Sequence, residues 1–291
     1  MAESRYMSRD TRGIVCVVTG ANSGIGFVTA RELAVAGADV IMVCRDRARG
    51  EAAREQIALA GDGSTPELLL CDFAELASVR GAAERIGELR DHVDVLANNA
   101  GMIAPHRMET VDGHELTLQV NHLAPFLLTR MLNPLLEAAP SARVVTVSSG
   151  AHEFMRKGMI FDDIDLEHGW GSFKAYAQSK LANVLFSYEL CARLGGTDIT
   201  SNCMHPGAVR SGFGKGLGGA SSFFLALSQP FLRSSEKGAE TLIYLAQAAE
   251  VEGISGGYFH DMQPIDSSKA SRDPAAATRL WEISAEMVGA Q

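Results

Sequence analysis

Tyr176 and Lys180 stand four residues apart in YAQSK, near the start of a segment whose pattern predicts a helix over 174–194. That spacing puts them one turn apart on the same helix face. Ala177, Leu181, Val184 and Tyr188 form an apolar stripe on another face. A phenol ordinarily titrates at about 10, and a nearby ammonium favours the phenolate and lowers that value. Such a pair can exchange a proton with an alcohol or carbonyl oxygen near neutral pH. A bare YxxxK is also a common surface pair, so the rest of the chain must decide between the two readings.

A second group of residues could hold phosphate. Thr19-Gly20-Ala21-Asn22-Ser23-Gly24-Ile25-Gly26 lies between a predicted strand (14–19) and a predicted helix (24–36). Glycines there let the backbone approach a pyrophosphate, which sits on the helix N-terminus. Gly20, Asn22, Ser23, Gly24, Ile25 and Gly26 are therefore expected to line a dinucleotide. In dinucleotide folds an acid ending the second strand binds the ribose 2′-OH of NAD, whereas an Arg there accommodates a 2′-phosphate. Here that strand ends Val43-Cys44-Arg45-Asp46-Arg47. Arg45 suits bidentate phosphate recognition, so NADP(H) is expected over NAD(H). In the other reading Arg45 and Arg47 are solvated charges at a helix entry and Asp46 binds the ribose.

The elements that must position these residues alternate along the chain. Short β-branched runs predict strands at 14–19, 39–44, 67–71, 93–97, 143–149, 198–204 and 257–260. Helical patterns fall at 24–36, 48–60, 75–89, after Asp112, at 174–194 and at 236–249. Strands apolar on both faces belong to a parallel sheet covered on both sides. The expectation is a doubly wound parallel α/β sheet in a single domain over 13–291, after a tail at 1–12. The Gly/Ser-rich stretch 211–222 reads as a loop inside that domain, since βα units continue after it.

Composition agrees. The 291 residues are 46% hydrophobic and 21% charged, which excludes a disordered chain. A net charge of −9 argues against a nucleic-acid binder. Cys16, Cys44, Cys71, Cys191 and Cys203 are odd in number and scattered, so neither a disulfide framework nor a metal site is expected. A reducing, cytoplasmic setting fits. The N-terminus MAESRYMSRDTR is polar and no apolar run is long enough to span a membrane, so neither a leader nor an anchor is expected.

The glycine spacing is TGxxxGxG. Asn98-Asn99-Ala100-Gly101 follows the fourth predicted strand, Ser149 ends the fifth, Tyr176 and Lys180 open the next helix, and Pro206-Gly207 follows the sixth strand. With these motifs in this order, the chain resembles the short-chain dehydrogenase/reductase family, with its Rossmann fold, from about residue 12 to 260. SKLANVLF, HPGAVRS and the long insert between Ser149 and Tyr176 resemble its retinol dehydrogenase-like branch.

The resemblance implies a division of labour. Tyr176 moves the proton, Lys180 lowers its pKa and binds the nicotinamide ribose, and Ser149 orients the substrate oxygen. Its neighbour Ser148 points the other way if the strand alternates. Asn121 holds a water connected to Lys180. Locally, Pro125 lacks the N–H that the Asn121 carbonyl would receive in a helix, so that carbonyl needs another partner. The resemblance further implies Asp72 and Phe73 beside the adenine, Asn98, Ala100 and Gly101 along the adenosine ribose, and Pro206 and Gly207 among the cofactor contacts. Cys44 occupies the place of the acid in NAD-preferring relatives, although Ser23 stands where many NADP-preferring ones carry a base.

His152, His168 and His205 lack metal-ligand spacing and read as polar loop residues, although His152 is close enough to Ser149 in sequence to line the pocket. Residues 211–235 combine glycines with Phe223, Phe224, Leu225, Phe231 and Leu232, which suits a lid over a lipophilic or aromatic substrate. The expected activity is hydride transfer between a nicotinamide cofactor and a small lipophilic carbonyl or alcohol. An assembly of identical chains is compatible with the sequence. A non-catalytic dinucleotide-binding module would have lost the Tyr–Lys–Ser–Asn set, which is intact. A cofactor-recycling epimerase or dehydratase would resemble longer chains with another glycine spacing.

Overall fold

A computed structural model of the protein describes residues 10–61, 65–209 and 232–290. Within them, runs of Val, Ile and Leu form the strands β1 (Val15–Thr19), β2 (Asp39–Cys44), β3 (Glu67–Leu70), β4 (Val95–Asn98), β5 (Arg143–Val147), β6 (Thr200–Met204) and β7 (Tyr258–His260). All are parallel, in the order β3-β2-β1-β4-β5-β6-β7. The chain winds outward from β1 first one way and then the other, so a crevice opens between the C-terminal ends of β1 and β4. Ligands of doubly wound sheets bind at that reversal. Every residue of β1, β4, β5 and β6 is buried, as a sheet covered on both faces requires.

The helices are α1 (Gly24–Val35), α2 (Arg47–Ala60), α3 (Leu76–Leu89), α4 (Leu116–Leu118), α5 (Ala124–Met131), α6 (Asn133–Ala138), α7 (Ser172–Arg193), α8 (Ser235–Gln247) and α9 (Pro274–Met287). One layer packs α1, α2 and α8 on the sheet through Leu33, Ala34, Ile57, Leu242 and Leu245. The other packs α3, α5 and α7 through Val79, Ile86, Phe126, Leu127 and Phe186.

Between α4 and α5 the helix widens into a π turn (Gln119–Leu123), where the Ala124 amide reaches back five residues to the Gln119 carbonyl. The sequence predicts an irregularity here, since Pro125 cannot donate to the Asn121 carbonyl. The irregularity is a π turn just before Pro125, a form frequent at functional sites.

Other boundaries also differ from expectation. β5 stops at Val147, because Ser149 already begins a 3₁₀ turn at Gly150–Phe154. β7 continues through a two-residue turn into an antiparallel β8 (Gln263–Pro264), with Asp261 and Met262 both at positive φ, the primed-turn geometry of tight hairpins. α9 had no counterpart among the predicted elements. Asp273 caps it by accepting the amides of Ala275 and Ala276, Pro274 occupies its first turn, and Trp281 stacks on Phe186 of α7. The tail is shorter than 1–12, since Thr11 is buried and donates to the Ala36 carbonyl. Most of the expected lid lies outside the described residues. Its flanks meet: Val209 and Arg233 form a bridge, with the Arg233 amide on the Ala208 carbonyl at 2.8 Å.

Phe126 is fully buried, with its ring 4.9 Å from Trp281 and 5.7 Å from Phe186. Phe126→Ala should cost about 3–5 kcal/mol in urea unfolding and loosen the α5–α7–α9 layer.

Candidate active site

Thr19 ends β1 and ties the two sides of the crevice together. Its hydroxyl donates to the Ala97 carbonyl and accepts the amides of Asn99 and Ala100, both at 3.0 Å. The Asn99 side chain returns a bond to the Thr19 carbonyl at 2.8 Å. The two loops therefore meet so closely that a Cβ on Gly26 would lie 2.4 Å from both the Gly20 carbonyl oxygen and the Asn99 amide. Gly20 sits at φ +68°, which a larger residue adopts only with strain.

The N-terminus of α1 faces this cradle with Ser23 as its cap residue and no side-chain cap bond. α2, α8 and α9, by contrast, are capped by Asp46, Ser234 and Asp273. Uncapped first-turn amides beside a side-chain-free cradle fit the pyrophosphate of a dinucleotide. Asn22 and Ser23 line the groove beside it, while the Ile25 side chain turns toward α8.

At the end of β2, Cys44 is buried, and burial pushes its thiol up to about 11. Arg45 is exposed and has no ion-pair partner among the described residues. Asp46 is committed to capping α2, accepting the Arg49 amide at 2.9 Å. Arg49, in the first turn of α2, lines a groove of about 260 Å³ with Asn22, Ser23 and Phe27. Nothing local in the sequence marks Arg49 as part of this site. Only the winding of α2 returns it to the glycine loop.

The adenine side is less uniform. Asp72 folds back to accept the Ala74 amide at 2.9 Å. The Phe73 ring is buried in the same core cluster as Leu76 and Leu118, so that side chain does not face the crevice. Asn98 likewise turns inward, donating to Thr129 at 2.9 Å. Ala100 and Gly101 continue along the crevice. Pro206 and Gly207 follow β6, and a Cβ on Gly207 would meet the Arg233 guanidinium at 2.9 Å.

The four residues expected to share the reaction chemistry come together at the ends of β4 and β5. The Tyr176 hydroxyl is hydrogen-bonded to the Ser149 side chain. Ser149 also accepts the Ala151 amide at 3.2 Å. Ser148 points away, as alternation requires, and donates to the Lys180 carbonyl at 2.7 Å. Lys180 is buried, with Nζ donating to the Val147 carbonyl at 2.9 Å, beside the Asn183 amide on the same oxygen at 3.2 Å. Asn121, in the π turn, donates to the Met102 carbonyl and the Ser179 hydroxyl, each at 2.9 Å, and accepts the Met102 amide at 2.7 Å. A Cβ on Gly101 would sit 3.2 Å from Asn121 Oδ1 and 3.4 Å from Lys180 Nζ, so a bare backbone lets all three converge.

The electrostatics depart from the simple picture of an ammonium lowering a phenol. Burial is the largest influence on Tyr176 and raises its pKa, with the Ser149 bond opposing. Burial also lowers Lys180, to about 8. Lys180 Nζ lies 5.8 Å from the centre of the Tyr176 ring and points to Val147. His152 does not line the crevice. It is completely buried beneath it.

The family model for short chain dehydrogenases matches residues 14–161. The chain belongs to the short-chain dehydrogenase family. The enzyme is 41% identical to retinol dehydrogenase 14 of Mus musculus, over 95% of this chain and 86% of that one. It is 40% identical to retinol dehydrogenase 12 of Homo sapiens, over 95% and 87%. An uncharacterized protein from Mycobacterium paratuberculosis superposes on it with a TM-score of 0.76 at 34% identity, over 97% of this chain and 96% of that one. Membership makes this chain an oxidoreductase that uses a nicotinamide dinucleotide on a small-molecule alcohol or carbonyl compound. No described helix is long and apolar enough to cross a membrane.

The buried ammonium has a thermodynamic signature. Folded Lys180 releases its proton at about 8, whereas its unperturbed value is 10.5. Between those values the unfolded chain binds more protons, so stability rises with pH across that window. Thermal melting of wild type and Lys180→Met from about pH 8 to about pH 10 should show that slope reduced in the variant.

Proposed function

We propose that the enzyme is an NADP(H)-dependent carbonyl reductase or alcohol dehydrogenase acting on lipophilic or aromatic ketones, aldehydes or alcohols. The observation that carries this reading is the Tyr176 hydroxyl on Ser149, with Lys180 one turn along the same helix and buried beneath them. A nicotinamide dinucleotide in the crevice supplies or accepts the hydride.

The chain's own residues handle the oxygen and the proton. Ser149 accepts the Ala151 amide and meets the Tyr176 hydroxyl, and its rotatable hydroxyl hydrogen can donate to a substrate oxygen placed beside both. Tyr176 gives a proton to that oxygen in reduction and removes it in oxidation. Lys180, with Nζ 5.8 Å from the centre of the Tyr176 ring, favours the phenolate when Tyr176 gives up its proton, and its ammonium is available to a ribose hydroxyl. Because the Asn121 side chain is occupied by Met102 and Ser179, the part of Asn121 suited to hold a relay water is its backbone carbonyl.

The preference for NADP(H) is supported by Arg45 without an ion-pair partner among the described residues, Asp46 spent on a helix cap, and Arg49 beside Ser23. Arg49 supplies the second positive charge that Ser23 does not. A lipophilic substrate is supported by the retinol dehydrogenases among the relatives. It is supported as well by Phe154 and Phe173, which pair edge to face at 5.0 Å yet remain 69% and 49% exposed. They stand five residues after Ser149 and one turn before Tyr176. The apolar residues at 223–232 point the same way by composition. A cytoplasmic setting is supported by five cysteines that form no disulfide, four of them buried.

Tyr176→Phe should lower turnover by about 10²–10⁴-fold while leaving cofactor affinity unchanged. A carbonyl panel followed by NADPH absorbance, with fluorescence titration of the cofactor, makes the measurement. Near-normal turnover would remove Tyr176 as the proton donor. In the same titration Arg45→Asp and Arg49→Ala should each weaken NADPH by about 10–100-fold and NADH little. Equal wild-type affinities for the two cofactors would remove the argument from Arg45.

A further inference from the structure

His152 takes no part in the chemistry of Ser149, Tyr176 and Lys180, yet it is completely buried one turn beyond Ser149. Its ring stands between two backbones. Nδ1 is 2.8 Å from the Ser149 carbonyl, and Nε2 accepts the Ser268 amide at 3.1 Å. An amide can only donate, so Nε2 bears no proton and the hydrogen is on Nδ1, directed at Ser149. Burial lowers the pKa of the ring, which keeps this neutral tautomer. The Ser149 carbonyl also accepts the His152 amide at 3.1 Å, so two donors fix the peptide that follows Ser149.

The far side of the ring rests on a firm support. Ser267 receives the Ser271 hydroxyl at 2.8 Å and exchanges a bond of 2.8 Å with Tyr188 of α7. The Tyr258 ring of β7 packs edge-on to His152 at 5.2 Å, with its hydroxyl 3.4 Å from Nδ1. Ser149 is thus gripped on both sides, by Ser148 on the Lys180 carbonyl before it and by His152 after it.

We propose that His152 is a positioning residue for Ser149, its Nδ1–H aiming the Ser149 hydroxyl at Tyr176 and the substrate oxygen, with the Ser267–Ser271 segment as its anchor. The proposal rests on the assignment of Ser149 and Tyr176 to the reaction. It adds that the C-terminal part of the chain, more than 100 residues from Ser149, helps set the geometry of the reacting oxygen.

Two substitutions separate the halves of the ring. His152→Asn places an amide N–H near Nδ1 and gives up the acceptor for Ser268. His152→Gln reaches Ser268 with its carbonyl and gives up the donor to Ser149. If aiming Ser149 is the function, His152→Gln lowers kcat about tenfold, with the KM for NADPH unchanged. His152→Asn restores kcat toward wild type even if it melts earlier. A merely structural histidine would make kcat follow melting temperature in both variants, and that result overturns the proposal, as does a His152→Gln enzyme with wild-type kcat. A crystal structure of His152→Gln gives a readout independent of turnover. The Ser149–Tyr176 hydrogen bond is expected to be broken, and its retention also overturns the proposal. Failure of the wild-type enzyme to transfer hydride to any carbonyl or from any alcohol would instead overturn the underlying reading.

Discussion

The hydroxyl of Thr19 is the point on which the crevice depends. It satisfies two amides of the loop after β4 and donates to a carbonyl of β4 itself, so β1 and β4 end in one bonded unit. Buried amides need partners, and there is no room for a solvent shell between these loops. The glycines follow from that closeness. Gly26 has no space for a side chain because the loops meet, and the uncapped amides of α1 are directed into the gap that results. A doubly wound sheet puts a crevice at this point in any case. Thr19 determines that its two walls stand at a fixed separation.

A second constraint holds the reacting groups at the other end of the crevice. The last carbonyl of β5, on Val147, receives both Lys180 and Asn183 of α7. Ser148 returns a bond to the Lys180 carbonyl. Strand and helix are therefore locked in register where Ser149 and Tyr176 must meet. The π turn at Gln119–Leu123 lies across from them, and its Asn121 joins the β4 loop to α7 through Met102 and Ser179. Lys180 Nζ is directed at the Val147 carbonyl, so the buried ammonium is held in a defined direction despite the cost of its burial.

Much of this was legible in the sequence because it depends on local chemistry. Glycine spacing, the pair Tyr176/Lys180 and the alternation of strand and helix were enough to place the crevice and its two ends. What escaped depends on contacts remote in sequence. Phe73 reads as a groove residue, but the packing of α3 and α4 takes its ring into the core. His152 reads as a polar loop residue, close enough to Ser149 to line the pocket, but it is fully buried against Ser268 and Tyr258. Arg49 acquires its place only when α2 winds back over the glycine loop. The helix α9 is a different case. Asp273 followed by Pro274 is a start signal present in the sequence, yet its docking on Phe126 and Phe186 depends on aromatic side chains far from it along the chain.

The central claim is that this crevice transfers hydride between a nicotinamide dinucleotide and a carbonyl carbon beside Tyr176. Following deuterium is the most direct test. NADPH carrying deuterium at the transferable position of the nicotinamide, incubated with enzyme and a lipophilic ketone or aldehyde, should yield an alcohol with one deuterium on its carbinol carbon, read by mass spectrometry. Oxidation of the cofactor without deuterium in the alcohol, or no alcohol from any carbonyl offered, would contradict the account.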